Sequence, residues 1–459
     1  MESEQIKNTS EVRKLAMNII HDITEHKAYA NLALEKGLRD NGLSPIDKSL
    51  VTEIVNGTIR MLKHLDWVLN LFLARNITKL NPWIRTILRL TLYQIMFMDK
   101  IPNYACVNEA VGLARKKTNH NLSALVNGVL RNIIRNLDNI TYPPADTIEF
   151  LAVYHSHPEW LVEKLSEDYG RVSCEEILLY NNQRPKLQLR TNTLKTNRAA
   201  LLDELSAAGI ECEPSELAPE AININKLGVS LDKTTAYQKG HFYIQNAASM
   251  LAASILNPQP GEMVYDLCSG VGGKATHLAQ LMNNQGHIHC YDIYQPKLSL
   301  LEKNAARLGI DIITPHLKDV LQITTEPVAD KVLLDAPCSG LGVLNRRADL
   351  RWNKTLADLQ ALNNLQKELL GQASRIVKIG GYILYATCTI NKAENEEVIF
   401  NFMANTNEFE LIAIDEKRAY FPLTAEDQPL ASRETLTIIP GQYQTDGMFY
   451  ALLRRKGAN

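Results

Sequence analysis

The chain has 459 residues, 45% of them hydrophobic, and a formal net charge of −2; that length exceeds one compact core and predicts two or three domains at roughly 150 residues each. No run approaches the ~18 apolar residues of a membrane span, and the opening "MESEQIKNTS" lacks the charged-then-apolar pattern of a secretory signal, so no membrane partner is expected and the protein reads as cytoplasmic. Seven cysteines, odd in number and without a C-x-x-C pair, argue against a disulfide framework and a zinc site, which predicts free thiols and no metal.

Charge is unevenly distributed. Residues 1–140 carry 19 basic and 13 acidic side chains, the rest 30 and 38, so +6 stands against −8. Between Arg75 and Arg135 there are ten Lys or Arg and two acids, which suits a phosphate-facing surface and equally a solvated basic helical face. From Glu11 to about Asn136 apolar residues recur at helical spacing, as in "VRKLAMNIIHDI" and "WIRTILRLTLYQIMFM", with turn signals such as "NGLSP" between them. An all-helical domain over 1–140 is predicted. "TYPPADTIEF" then reads as a linker, followed by helices to about Tyr180. "KLQLRTNTLK" alternates like a strand and "NRAALLDELSAAGI" like a helix closed by Gly209, giving a small α/β region within 141–250.

From 251 to 459 short apolar strands alternate with helices: "EMVYDL", "HIHCYDI", "DIITPHL", "KVLLD", "YILYAT" and "MFYALL". This α/β alternation predicts a mostly parallel sheet covered on both faces, with its ligand at the carboxyl ends of the strands. The first strand runs into "DLCSGVGGKATHL", where Gly270, Gly272 and Gly273 let a ligand approach the backbone. A dinucleotide fingerprint fails at Ala275, and a P-loop fails at Cys268 and Ala275. Asp292 ends the second strand, where a carboxylate can accept both hydroxyls of a ribose. Asp319 follows the third, in reach of an adenine amino group. Taken singly each is as well explained as a cap or turn residue; together they favour S-adenosylmethionine as the cofactor.

Asp335 closes the fourth strand, Cys338 follows in its loop, and Cys388 ends the fifth. Neighbouring strands lie ~4.8 Å apart, which would turn both thiols into one cleft. A thiol beside a methyl donor suits attack on carbon 6 of a pyrimidine, which makes carbon 5 nucleophilic; release then gives a second thiol a purpose. The plain alternative is a small buried apolar residue, the reading taken for Cys106, Cys174, Cys212, Cys290 and the Cys268 thiol.

"DAPCSGLGVLNRRADLRW", "YATCTINKAENEEVI" and "TDGMFYALLRR" resemble the RNA cytosine-5 methyltransferases with paired Pro-Cys and Thr-Cys motifs. "LDWVLNLFLA", "LRLTLYQIMFMDKIPNYACVNEAVGLAR" and "ALVNGVLRNIIR" resemble the NusB-like domain of the bacterial ribosomal RNA methyltransferase B branch, and "HSHPEWLVEKL", "LRTNTLK" and "YIQNAASML" its middle region. The resemblance implies a Rossmann-like class I methyltransferase domain and methylation of carbon 5 of one cytosine in 16S ribosomal RNA. It implies Cys388 as nucleophile, Cys338 in product release, Asp335 on the N3 or amino edge of the base, and Lys274 in the same cleft, lowering a thiol pKa. The turn Cys268, Ser269, Gly270, Val271, Gly272, Gly273 and Lys274, with Asp292, Asp319 and Asp335, would hold the cofactor; Arg190, Asn192 and the basic face of 1–140 would contact RNA. Where the family usually carries C-A-A-P-G-G-K, this chain reads "CSGVGGK". A DNA methyltransferase would not need the Thr-Cys thiol, so no DNA partner is expected. A transfer-RNA methyltransferase of the same family and a non-catalytic assembly factor are the other readings, and a monomer is expected.

Overall fold

The computed structural model describes residues 2–39, 42–99, 101–324, 326–414 and 434–457, which fall into two compact units. One comprises the chain up to Gln183 together with Leu344–Asn353; the other comprises Arg184–Val343 and the chain from Lys354 onward.

The first unit is helical. Its long helices are Glu2–Glu25, Pro45–Arg60, Leu62–Phe72, Pro82–Phe97, Asn103–Lys117 and His120–Arg135, and three of them begin where the sequence supplies caps. The Ser44, Asn81 and Asn119 side chains accept from backbone N–H groups of the first turn, with Pro45 and Pro82 just inside. Pro82–Phe97 is buried nearly all round, with Ile84, Ile87, Leu88, Leu90 and Leu92 in the core, as its lack of a polar stripe requires. The expected break near 140 is not where packing divides the chain. The Tyr142 hydroxyl lies 3.2 Å from His64 Nε2, His64 Nδ1 donates to the Tyr154 carbonyl at 3.2 Å, and the helices Ile148–Tyr154, Glu159–Tyr169 and Arg171–Asn182 belong to this unit. Leu344–Asn353 joins them through Arg351, which is fully buried and donates to the Ser156 and Asn181 carbonyls and Asn182 Oδ1.

The second unit holds two sheets. β1 (Leu187–Thr191), β2 (Glu211–Pro214), β3 (Ala221–Lys226) and β4 (Phe242–Ile244) form an antiparallel sheet in the order β2-β3-β1-β4. β5 (Met263–Asp266), β6 (His287–Asp292), β7 (Ile313–Leu317), β8 (Ala329–Asp335), β9 (Val377–Thr387), β10 (Phe409–Ile412) and β12 (Met448–Arg455) form the larger sheet, ordered β10-β12-β9-β8-β5-β6-β7, with β11 (Thr435–Ile438) paired to β12. β7, β6, β5, β8 and β9 run parallel; β12 is antiparallel to β9. Alternate residues feed two cores, Leu333 and Leu384 one, Val332, Leu334, Ile383 and Tyr385 the other, so the strands are apolar throughout. The chain leaves β5 towards β6 and β7, then returns to the other side of β5 with β8. That reversal opens a crevice at the carboxyl ends of β5 and β8.

Candidate active site

The glycine turn after β5 leads into helix Gly273–Leu281. Gly270 and Gly272 have φ of +55° and +86°, and a Cβ at Gly272 would come within 2.8 Å of the Leu301 side chain, so packing and backbone both require glycine there. The Ser269 N–H donates to the Tyr291 carbonyl at 2.9 Å and Gly270 N–H to Asp292 Oδ2 at 3.1 Å. Asp292 Oδ1 accepts from Tyr294 N–H at 2.9 Å, and Lys297 Nζ stands 3.5 Å from Oδ2. Asp292 thus clasps the turn to the end of β6, the Val271 carbonyl accepting from Asn304 at 3.0 Å. Asp319, half-buried beyond β7, caps a short turn by accepting from Leu321 N–H.

β8 and β9 are neighbours, with Asp335 opposite Ala386, and the loops that follow them bring Cys338 Sγ to 3.4 Å from Cys388 Sγ. Lys274 Nζ, from the first turn of the glycine-turn helix, lies 2.6 Å from Asp335 Oδ2. The two thiols are not equivalent. The hydrogen bond between the two sulfurs lowers the pKa of Cys388 and raises that of Cys338; the Lys274 ammonium also lowers Cys388, while burial and nearby carboxylates oppose it. Burial alone would lower the pKa of Lys274, but the Asp335 carboxylate raises it overall. Asp266, at the end of β5, is fully buried, and among the described residues its carboxylate oxygens have no close hydrogen-bond partner; burial, then the Asp335 charge, push its pKa from 3.8 to about 7 against the pull of Lys274 and the Cys268 backbone N–H. Burial also pushes the Cys268 thiol up, as do Asp266 and Asp335.

Both cysteine loops close on Glu394, a fully buried carboxylate. Its Oε2 accepts from Ser339 N–H at 2.8 Å and Gln366 Nε2 at 3.1 Å, its Oε1 from Ser339 Oγ and from Asn391 Nδ2 at 2.9 Å. Gly342 N–H donates to the Cys388 carbonyl at 3.0 Å and Gly447 N–H to the Gly342 carbonyl at 2.7 Å. A Cβ on Gly342 would meet the Gly447 carbonyl oxygen at 2.4 Å, so the Pro-Cys loop, the Thr-Cys loop and the start of β12 lock together only around glycine.

The chain is similar in sequence to proteins of known name along almost its whole length. A probable ribosomal RNA small subunit methyltransferase B of Bacillus subtilis is 36% identical over 98% of this chain and 100% of its own. The ribosomal RNA small subunit methyltransferase B of Escherichia coli is 30% identical over 98% and 100%. The family profile described as 16S rRNA methyltransferase RsmB/F matches residues 253–454. The chain belongs to that family. The NusB family matches residues 10–135 and the RsmF/B-like ferredoxin-like domain 157–230. Among solved structures, PH0851 matches with a TM-score of 0.81 at 30% identity, covering 97% of this chain and 99% of that one. A methyltransferase homolog protein from Pyrococcus horikoshii matches with a TM-score of 0.58 at 27% identity over 68% and 100%.

In this member of the RsmB/F family, Arg190 and Asn192 do not face solvent, contrary to the expectation that they meet RNA phosphates. Arg190 is 1% exposed; it donates to Gln245, to the Gly273 carbonyl at 2.6 Å and to Thr276 Oγ1 at 2.9 Å. Asn192 donates to the Gly240 and Leu308 carbonyls at 2.8 and 2.9 Å. β1 is buried on both faces; Arg190 braces the glycine-turn helix, and Asn192, just after β1, ties down the Gly240 and Leu308 carbonyls. Glu394 went unnoticed in the sequence, because "NKAENEE" reads as a solvated, acidic helix start. The seven cysteines are all free thiols. Among the described residues no helix is long and apolar enough to cross a membrane, and no group of three or more His, Cys, Asp or Glu could hold a metal.

Proposed function

We propose that the protein transfers a methyl group from S-adenosylmethionine to carbon 5 of a cytosine in 16S ribosomal RNA, through a covalent bond between Cys388 and carbon 6. The thiol pair carries this reading: two sulfurs 3.4 Å apart, one inclined to ionise and one to keep its proton, beside a cation paired to a carboxylate. The residues fit the cofactor. Gly270 and Gly272 leave backbone accessible, Asp292 and Asp319 stand at consecutive strand ends, and the buried carboxylate of Asp266 suits a ligand that brings positive charge. When bound, S-adenosylmethionine supplies an electrophilic methyl group.

The chain's own residues do the rest. The Cys388 thiolate adds to carbon 6, forming an S–C bond and leaving carbon 5 enamine-like. Asp335 holds the N3 and amino edge of the base and stabilises its protonated form, which draws electrons away from carbon 6. Lys274 keeps Asp335 in place and favours the thiolate of Cys388. Once carbon 5 carries the methyl group its proton leaves to a base, the S–C bond breaks and Cys388 departs as thiolate, with Cys338 assisting that step. Mapping 5-methylcytosine in 16S RNA from cells with and without the protein tests the reading. One cytosine should lose its methyl group, and purified protein with S-adenosylmethionine should restore it; an unchanged map refutes the assignment.

A further inference from the structure

In the helical unit, helices Asn103–Lys117 and His120–Arg135 bound a groove of about 510 Å³ far along the chain from the cysteine motifs. The first helix contributes Asn103, Tyr104 and Val107 from its start, the second Gly128, Arg131, Ile134 and Arg135 from its end. No acid lines it. Tyr104 is 73% exposed. One exposed ring alone means little, but this one stands opposite two exposed arginines that make no ion pair among the described residues. Arg131 Nε donates to Asn127 Oδ1 at 2.9 Å, which steadies its guanidinium.

Gly128 adds an independent observation. It sits inside a helix, where glycine is unfavourable relative to alanine, yet a Cβ there would meet nothing within 4 Å. Packing does not demand glycine; any larger side chain would stand in the groove. An aromatic face, two forked cations and an apolar floor of Val107 and Ile134 match a ligand with a flat π-system and a phosphate. Stacked duplex bases offer no free face to a tyrosine ring, so the base must be splayed out.

We propose that this groove binds one unstacked nucleotide of the substrate RNA, its base on Tyr104 and its phosphate between Arg131 and Arg135. The proposal rests on RNA being the substrate. Full-length protein and a 16S RNA transcript test it, with binding measured over a range of salt concentrations and folding checked by circular dichroism and thermal unfolding. Tyr104→Ala should weaken binding roughly fivefold to a hundredfold, and Tyr104→Phe should restore it. Because the two arginines share one phosphate, Arg131→Gln combined with Arg135→Gln should make the plot of log affinity against log salt shallower by about 0.7, the figure per single-strand phosphate. Gly128→Leu should block the groove while the protein stays folded. If the wild type binds and methylates the transcript while folded Tyr104→Ala and Gly128→Leu bind as tightly as it does, the groove serves something else and the proposal falls alone. A wild type that neither binds nor methylates the transcript overturns both this proposal and the rRNA reading.

Discussion

Replacing Glu394 tests whether one buried carboxylate holds the two cysteine loops together. Five donors converge on it: Ser339 N–H, Ser339 Oγ, Gln366 Nε2, Asn391 Nδ2 and, at 3.5 Å, Thr389 Oγ1. In Glu394→Ala the Ser339 and Thr389 hydroxyls, 2.8 Å apart, can bond to each other, leaving the three N–H donors short of an acceptor. At roughly 1–3 kcal/mol for each unpaired group, with partial relaxation, the loss should be on the order of 3–5 kcal/mol. Glu394→Gln keeps one acceptor for Ser339 N–H and Gln366 Nε2 and can donate to the Ser339 and Thr389 hydroxyls, but its amide N–H still faces Asn391 Nδ2, so about 1–3 kcal/mol is expected. Urea unfolding of the second unit reads both. The glutamine variant has a second signature, because the Glu394 charge raises the pKa of Cys388: stability should fall while the pH at which Cys388 becomes alkylated also falls. An alanine variant within about 0.5 kcal/mol of wild type, the range of an ordinary surface substitution, refutes the role.

Lys274→Met removes a cation that lowers the Cys388 pKa, so alkylation of Cys388 at neutral pH should slow; an unchanged pH profile would detach Lys274 from the thiol. Asp292→Ala loses the clasp on Gly270 and the proposed ribose contact, and should weaken S-adenosylmethionine binding by roughly 1–3 kcal/mol, read by calorimetry. Equal affinity would remove Asp292 from the site. Asp266 has a folded pKa of about 7 against an ordinary 3.8, so the native state binds its proton more tightly than the unfolded chain. Its contribution is full below about pH 4 and is lost as pH rises to about 7. In cofactor-free protein, Asp266→Asn should therefore gain on wild type across that window, by an amount on the order of 4 kcal/mol. A pH-independent difference would contradict the burial argument.

The sequence made the catalytic sheet legible because strands buried on both faces are apolar throughout, as "KVLLD" and "YILYAT" are, and because ligand chemistry sits at their carboxyl ends. Asp292, Asp335, Cys338 and Cys388 were therefore placeable by position alone. β10 and β11 were not, since four residues each carry no clear period. For Arg190 the resemblance implies an RNA contact, but both faces of β1 are covered, so a charged residue on this strand is an interior one. Arg351 lies in the charged run "NRRADLRW" and is fully buried among carbonyls of the helical unit. Only the fold distinguishes a satisfied interior guanidinium from a surface one, and the same holds for Glu394.

The covalent mechanism gives the two thiols different steps although their sulfurs are 3.4 Å apart, and denaturing gels of single-cysteine variants with 16S RNA and S-adenosylmethionine separate them. Cys388→Ala should abolish methylation and form no adduct. Cys338→Ala should accumulate a protein–RNA complex that survives denaturation, requires cofactor, and disappears when Cys388 is also replaced. An adduct in Cys388→Ala and none in Cys338→Ala would reverse the roles, and normal turnover in both would show that neither thiol attacks the base.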